Sequence, residues 1–460
     1  MSIKSPFVIF PNQLFYDESV ISFYKSLKSP IKLIEEPIVF YDSKYRPIRP
    51  NKVKLAYMVA CMHAYKSYLE SKGIKDVTYV KYTDVPNTIK PLTVFTCWDP
   101  YDFDIRRKYP NAIFIDDSPY FILSSKKVNE LKVKTHAAFY KAIQKEVGLS
   151  LKSLDELNRQ SIPSNLRLPP QPSRYTSPFY KIAATYIDTH PMFSKPDFVG
   201  STANVSLYPL TLEDANKVLI AFITNKMDKY GPYQDAIRSD HVTLWHSFLS
   251  ASINMGILPP RHILEVLQRY RIKLRIPQQS YEGYVRQLIG WREYCRYVYV
   301  RHYKDLKTSN HFGAKKKLPK SWWNANTGMT PLDQEIEKAR DIGYAHHIVR
   351  LMIFLNFMVL DGIRSTDIYR WFMEVVSIDA WDWVMWSNIM MMSHYWPGGM
   401  RKPYISTSAY IRRMSDYRED STGWAAKWDR MFYDFIEKQK GILAKDSSAI
   451  YLRHLKYRGQ

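Results

Sequence analysis

The order of apolar runs in the first 130 residues constrains the fold more than any other feature of this chain. Five brief runs, at 7–10, 32–34, 77–80, 92–96 and 112–115, suit strands buried on both faces, and the segment 52–71 between them has helical periodicity. Parallel neighbours need crossover segments of this kind, because a tight turn can only reverse a strand. The order therefore predicts an α/β, Rossmann-like domain with a mainly parallel, doubly wound sheet. No GxGxxG follows the first run, so the usual dinucleotide fingerprint is missing.

From 151 to 178 the composition turns to Ser, Asn, Arg and Pro, and Pro163, Pro169, Pro170, Pro172 and Pro178 exclude long regular structure. Beyond it, runs at 211–228, 259–272, 281–303, 332–361 and 425–440 show 3.6-residue spacing with few strands between. This predicts an α/β domain at 1–130, a linker at 131–178 and an all-helical domain at 179–460.

A chain of 460 residues, 46% hydrophobic, can bury large cores. No stretch of about 18 apolar residues and no charged-then-apolar leader is present, so a soluble, intracellular monomer is expected, without a membrane span. Cys61, Cys97 and Cys295 are far apart with no CxxC spacing, which argues against a disulfide framework and a thiolate-bound metal. The formal charge of +22 favours a polyanionic partner, and 12 Trp with 35 Tyr offer stacking surfaces for bases or for a flat cofactor.

The segment Tyr344-Ala345-His346-His347-Ile348-Val349-Arg350-Leu351-Met352 sets two histidines and one arginine in an apolar context. Apolar residues at 348, 351, 352 and 355 predict a buried helix carrying His347 and Arg350 one turn apart. A buried guanidinium needs a partner, since leaving it unpaired costs several kcal/mol, so a carboxylate or a cofactor is expected beside it.

Further segments give this one company. His246-Ser247-Phe248-Leu249-Ser250-Ala251-Ser252 joins hydroxyls to a helix start. Gln287-Leu288-Ile289-Gly290-Trp291-Arg292-Glu293-Tyr294 holds a Trp-Arg-Glu-aromatic run, and Asp382 stands six residues before Asn388. In these segments and in its domain order the chain resembles the photolyase and cryptochrome superfamily. Tyr230-Gly231-Pro232-Tyr233, the double histidine and Met414-Ser415-Asp416-Tyr417 are similar to the bacterial branch related to the prokaryotic (6-4) photolyases.

The resemblance implies FAD as cofactor, held by Tyr233, His246, Ser247, Leu249 and Ser250, with Arg350 paired to Asp382 and Asn388 beside the flavin ring. It implies Gln287 and Trp291 in the lesion cavity, and Met391, Lys402 and Tyr404 as contacts to UV-damaged DNA. Trp371 and Trp323 match an electron relay to the flavin, with Phe372 where relatives can carry Tyr. Asn12, Gln13 and Glu36 are the candidate contacts of a ribityl-lumazine antenna in the N-terminal domain. Members of the branch bind an iron–sulfur cluster through four cysteines. This chain has Pro331 and then Arg418, Glu419 and Asp420 at those places, so no cluster is expected.

The activity implied is light-driven repair of (6-4) photoproducts, with His347 donating a proton to a flipped-out lesion and His346 in support. A cyclobutane-dimer photolyase and a cryptochrome-like photoreceptor stay open on the same residues, as does a flavin-free nucleic-acid-binding relative.

Overall fold

The computed structural model describes residues 5–445 and 447–457. Five strands, β1 (Phe7–Ile9), β2 (Ile31–Ile34), β3 (Val77–Val80), β4 (Thr96–Trp98) and β5 (Ile113–Ile115), form one parallel sheet in the order β3-β2-β1-β4-β5. Phe7 lies opposite Ile31 on one side and Thr96 on the other, so β1 is the centre from which the chain winds both ways. The predicted run at 92–96 is displaced: its strand begins at Thr96, and Leu92 and Val94 lie exposed in a turn after Pro91. The Thr93 N–H bonds the Lys90 carbonyl there, which diverts the backbone from the ladder.

The Lys52–Ser71 helix forms as its spacing predicts, opened by the Asn51 side chain accepting from the Val53 N–H. The other end of that amide donates to the Arg340 carbonyl at 2.7 Å, which ties the α/β layer to the helical half. Tyr57 and Tyr65 bond the carbonyls of Pro209 and Phe15 from the same helix. One continuous hydrophobic core runs from Phe7 to Tyr451 through both halves.

No helix longer than one turn forms from 147 to 177, but the His136–Glu146 helix stands inside the predicted linker range and packs on residues 286–292. The predicted 332–361 helix is two segments. Gly343, at φ +69°, ends Thr330–Ile342 in a left-handed cap, the chain runs extended through His346, and helix resumes at His347. The predicted 281–303 helix carries a π-helical stretch at Arg286–Arg292 and kinks at His302, and a second π-helical stretch spans Val349–Leu355. Both face one cavity.

Candidate functional site

That cavity, about 280 Å³, opens among five segments of the helical half. The two π-helices widen the backbone where their side chains must converge, a distortion that recurs at functional sites. Gln287, Trp291 and Arg292 come from the first, Arg350, Leu351 and Leu355 from the second, and Tyr344 and His347 from just before it. His246, Ser247, Leu249 and Ser250 form another wall with Phe248, whose φ of +61° turns the chain sharply into the Ser250–Asn254 helix. Asp379, Trp383 and Asn388 close the far side, and Tyr230, Gln234 and Asp235 the rim.

Arg350 has its carboxylate, but it is Asp379 and not Asp382. The guanidinium donates to Oδ1 at 2.9 Å and Oδ2 at 3.0 Å, and its Nε bonds the Ala345 carbonyl. Asp382 begins the Asp382–Met392 helix and is not part of the cavity lining. It accepts from the hydroxyls of Tyr299 and Tyr369 and sits 3.3 Å from Arg46 of the N-terminal half. Burial opposes its ionisation, yet Arg46, Lys307 and the two hydroxyls outweigh that and lower its pKa. Arg46 also forks onto Asp102 at 2.7 and 2.8 Å, so Asp382 belongs to a buried interdomain ion cluster.

The two histidines part company. His347 opens onto the cavity mouth, while His346 is buried outside the helix and stacks on His246 at 4.5 Å and 15°. Enclosure by the cavity walls, then the charges of Arg350 and Arg159, lower the His347 pKa to about 4. Burial and the neighbouring His347 lower that of His246 to about 3, so all three imidazoles are neutral at pH 7. Asn388 is fixed by accepting from Trp291 Nε1 at 2.8 Å and donating to the Val384 carbonyl at 2.8 Å.

Tyr233 lies outside the cavity lining and packs on Trp245 at 4.8 Å in a small separate cluster. Met391, Lys402 and Tyr404 also stand behind the wall. Met391 is fully buried, Lys402 lies over the Tyr451 ring, and the Tyr404 N–H bonds the carbonyl of Met392, which does line it. Of the two adjacent tryptophans it is Trp322 that lies edge-on against Trp371, at 5.4 Å, and Trp371 also meets Phe354 at 4.9 Å and the cavity-lining Phe372 at 5.2 Å. Trp323 instead donates to Glu374 at 2.7 Å.

The polar groups of Gln13 and Glu36 are engaged by the fold. Gln13 clamps the Phe10 N–H and the Trp98 carbonyl, and Glu36 accepts from Lys108, Tyr109 and the Ile38 N–H. Asn12 donates to the Pro100 carbonyl, and its buried Oδ1 has no partner. Cys61 and Cys97 lie in the N-terminal half and Cys295 at the cavity wall, and no cluster of three metal-ligating side chains occurs among the described residues. Next to Pro331 and Arg418–Asp420, the Thr330 and Thr422 hydroxyls meet at 3.3 Å, and Trp424 Nε1 donates to the Arg418 carbonyl at 2.8 Å.

The cavity fits a flat polyaromatic group that makes polar contacts. His246 Nε2 and Arg292 Nε are buried on lining residues with no hydrogen-bond partner within the chain, so both are free to donate to a polar group in the cavity. Arg292 lies over Tyr120, Phe121 and Trp383 at 4.5–5.1 Å, which carries the N-terminal half to the cavity edge. Asp379, Trp383, Arg292 and Phe248 were not singled out from sequence; Asp379 stands three residues from the aspartate that was.

Residues 7–96 match the family described as deoxyribodipyrimidine photo-lyase-related protein. The chain is 33% identical over 328 residues to a protein named (6-4) photolyase from Agrobacterium fabrum, an alignment covering 67% of this chain and 64% of that protein. It thus spans just under two thirds of that relative's length. A cryptochrome from Synechocystis superposes with a TM-score of 0.59 at 14% identity, over 95% of this chain and 88% of that one. An archaeal photolyase from Sulfolobus tokodaii gives 0.52 at 11% identity, over 99% and 94%. A parallel sheet wound from its central strand, a helical half built around an Arg-lined cavity, and these likenesses make the chain similar to the photolyase and cryptochrome superfamily in sequence and in fold.

Proposed function

We propose that the chain is a light-driven DNA photolyase that takes (6-4) photoproducts from UV-damaged DNA and holds FAD in the cavity. The observation that carries this reading is the cavity itself: a bidentate Arg350–Asp379 pair and unpartnered donors line its interior, and His347, Gln287 and Trp291 line it as well, His347 at the mouth.

FAD would be held by Arg350, Asp379, Asn388 and the 246–250 segment; bound and reduced, it supplies on blue-light excitation the electron that opens a pyrimidine lesion. The residues do the rest. The Trp291 indole fixes the Asn388 amide, so the lesion-facing and cofactor-facing walls are set by one hydrogen bond. The apolar lining excludes water, which strengthens every polar contact inside. Trp371 and Trp322, edge-on at 5.4 Å behind the cavity-lining Phe372, would pass electrons toward the cavity.

His347 is neutral in the free protein, so an imidazolium donor has to form when DNA binds. An anionic, damaged strand at the cavity mouth opposes the charges of Arg350 and Arg159 that depress its pKa. That same low pKa favours a second reading, a cyclobutane-dimer enzyme, because splitting that lesion needs no proton donor. Illumination of the reduced protein with oligonucleotides carrying each lesion separates the two. Repair of the (6-4) strand, abolished in His347→Ala with flavin still bound, supports the first reading. Repair of the cyclobutane strand alone, indifferent to His347→Ala, replaces it with the second. Protein without flavin absorbance removes both.

A further inference from the structure

Residues 155–161 of the proline-rich connection do not hang free but pack against the segment 231–235, which carries the rim residues Gln234 and Asp235. Asn158 is buried, donating to the Gln279 carbonyl, in a slot between Gly231 and Gly283. The slot exists because those positions lack side chains: a Cβ on Gly231 would meet Asn158 Oδ1 at 2.5 Å. The Gln160 N–H bonds the Pro232 carbonyl at 2.7 Å, and Ser161 Oγ bonds the Arg413 carbonyl at 2.9 Å. Between these anchors Arg159 is held at φ +64°, a left-handed conformation that costs a non-glycine residue about 1 kcal/mol or more. The distortion turns an arginine, 54% exposed, outward beside the cavity mouth.

We propose that Arg159 is a clamp for a backbone phosphodiester next to the flipped-out lesion; the inference rests on the photolyase reading and deepens it. Its present partners are releasable. Arg159 pairs with Asp155 at 2.8 Å and Asp235 at 3.6 Å, yet Asp155 keeps Arg286 at 2.6 Å and Asp235 keeps the Tyr410 hydroxyl at 2.9 Å. When the guanidinium swings to a phosphate, Asp155 keeps a cation, and Asp235 keeps a hydroxyl and the more distant charge of Arg413, so neither carboxylate loses every partner. Asp235 lines the cavity, and the Arg159 charge is felt at His347, so the clamp sits where a nucleotide entering the cavity must leave its phosphate. A planar fork on a phosphate is bidentate and directional, so it sets register as well as affinity.

The test is a thermodynamic cycle by fluorescence anisotropy. Wild type and Arg159→Gln are titrated with duplexes bearing one (6-4) product, either unmodified or with a neutral methylphosphonate at each flanking phosphodiester in turn. The clamp predicts that one methylphosphonate weakens wild-type binding about tenfold and that Arg159→Gln weakens the unmodified duplex about as much. It also predicts no further loss when the two are combined, and a salt slope about one unit shallower in the variant. Losses that multiply, or a variant that binds like wild type, overturn it. Arg159→Gly relieves the left-handed strain, so it is expected to match wild type in Tm while losing the same binding; a lower Tm with unchanged binding makes Arg159 structural and ends the proposal. Failure of the underlying reading looks different: wild type itself then binds damaged and undamaged duplexes alike.

Discussion

Two aspartates three residues apart have opposite duties. Asp379 neutralises Arg350 at the cavity, whereas Asp382 neutralises Arg46 between the halves of the molecule. Asp379→Asn is therefore expected to destabilise the protein by on the order of 3 kcal/mol and to empty it of flavin, since a buried guanidinium loses its charge partner. Asp382→Asn is expected to lower stability while the folded protein retains flavin. Flavin absorbance after gel filtration, with Tm alongside, separates the pair. At His347 the histidine signal followed by NMR is expected to titrate below pH 5 in the free protein and to move toward neutrality with a damaged oligonucleotide bound. A titration near 6.5 without DNA contradicts the effect assigned to Arg350 and Arg159.

Among the elements, the turn after Ser250–Asn254 couples the cofactor wall to the sheet. Gly256 sits at φ +84°, where an added Cβ would meet Phe15 at 2.7 Å, and the neighbouring Met255 carbonyl accepts from Leu14. Gly256→Ala is expected to cost about 2–4 kcal/mol through strain and overpacking. Gly73→Ala, equally left-handed at φ +83° but with open space around it, is expected to cost about 1 kcal/mol. Comparison of their denaturation midpoints isolates the contact from the backbone term. The aromatic pair Trp371–Trp322 makes a similar contrast: Trp322→Phe is expected to slow flavin photoreduction more than Trp323→Phe, because Trp322 is the ring against Trp371. Equal rates in the two variants send the electron elsewhere.

For the whole molecule, buried histidines weigh against stability in acid. Burial lowers the pKa of His136 to about 4 and of His246 to about 3 from the ordinary 6.5. The unfolded chain binds more protons than the folded one between those values, so this stability is complete above pH 6.5 and is lost as pH falls toward 4. Asp102 acts the other way, since burial raises its pKa to about 6, and burial also raises those of Glu35, Asp99, Asp235, Glu282, Glu293 and Glu335, so the carboxylates offset part of the histidine effect. His136→Gln removes that group's share, so the variant's Tm is expected to fall less between pH 7 and 5 than that of wild type, which thermal denaturation at the two pH values checks.

Much of this architecture was legible in the residue order. Short apolar runs at crossover spacing can only make a parallel sheet, and four of the five strands lie where the runs do, because local hydrophobicity and burial on both faces coincide there. The two histidines, Arg350, Trp291 and Asn388 were likewise visible as polar groups in apolar segments. What sequence left undecided was partnership. Asp379 and Asp382 read alike along the chain, and only the direction in which the Asp382–Met392 helix begins gives Arg350 to the first and Arg46 to the second. Trp322 and Trp323 are adjacent, and only packing turns one toward Trp371. Periodicity reports which residues are buried; which buried group meets which is fixed by π-helical turns, a left-handed Phe248 and the seating of Asn158 between two glycines, none of which has a local sequence signal.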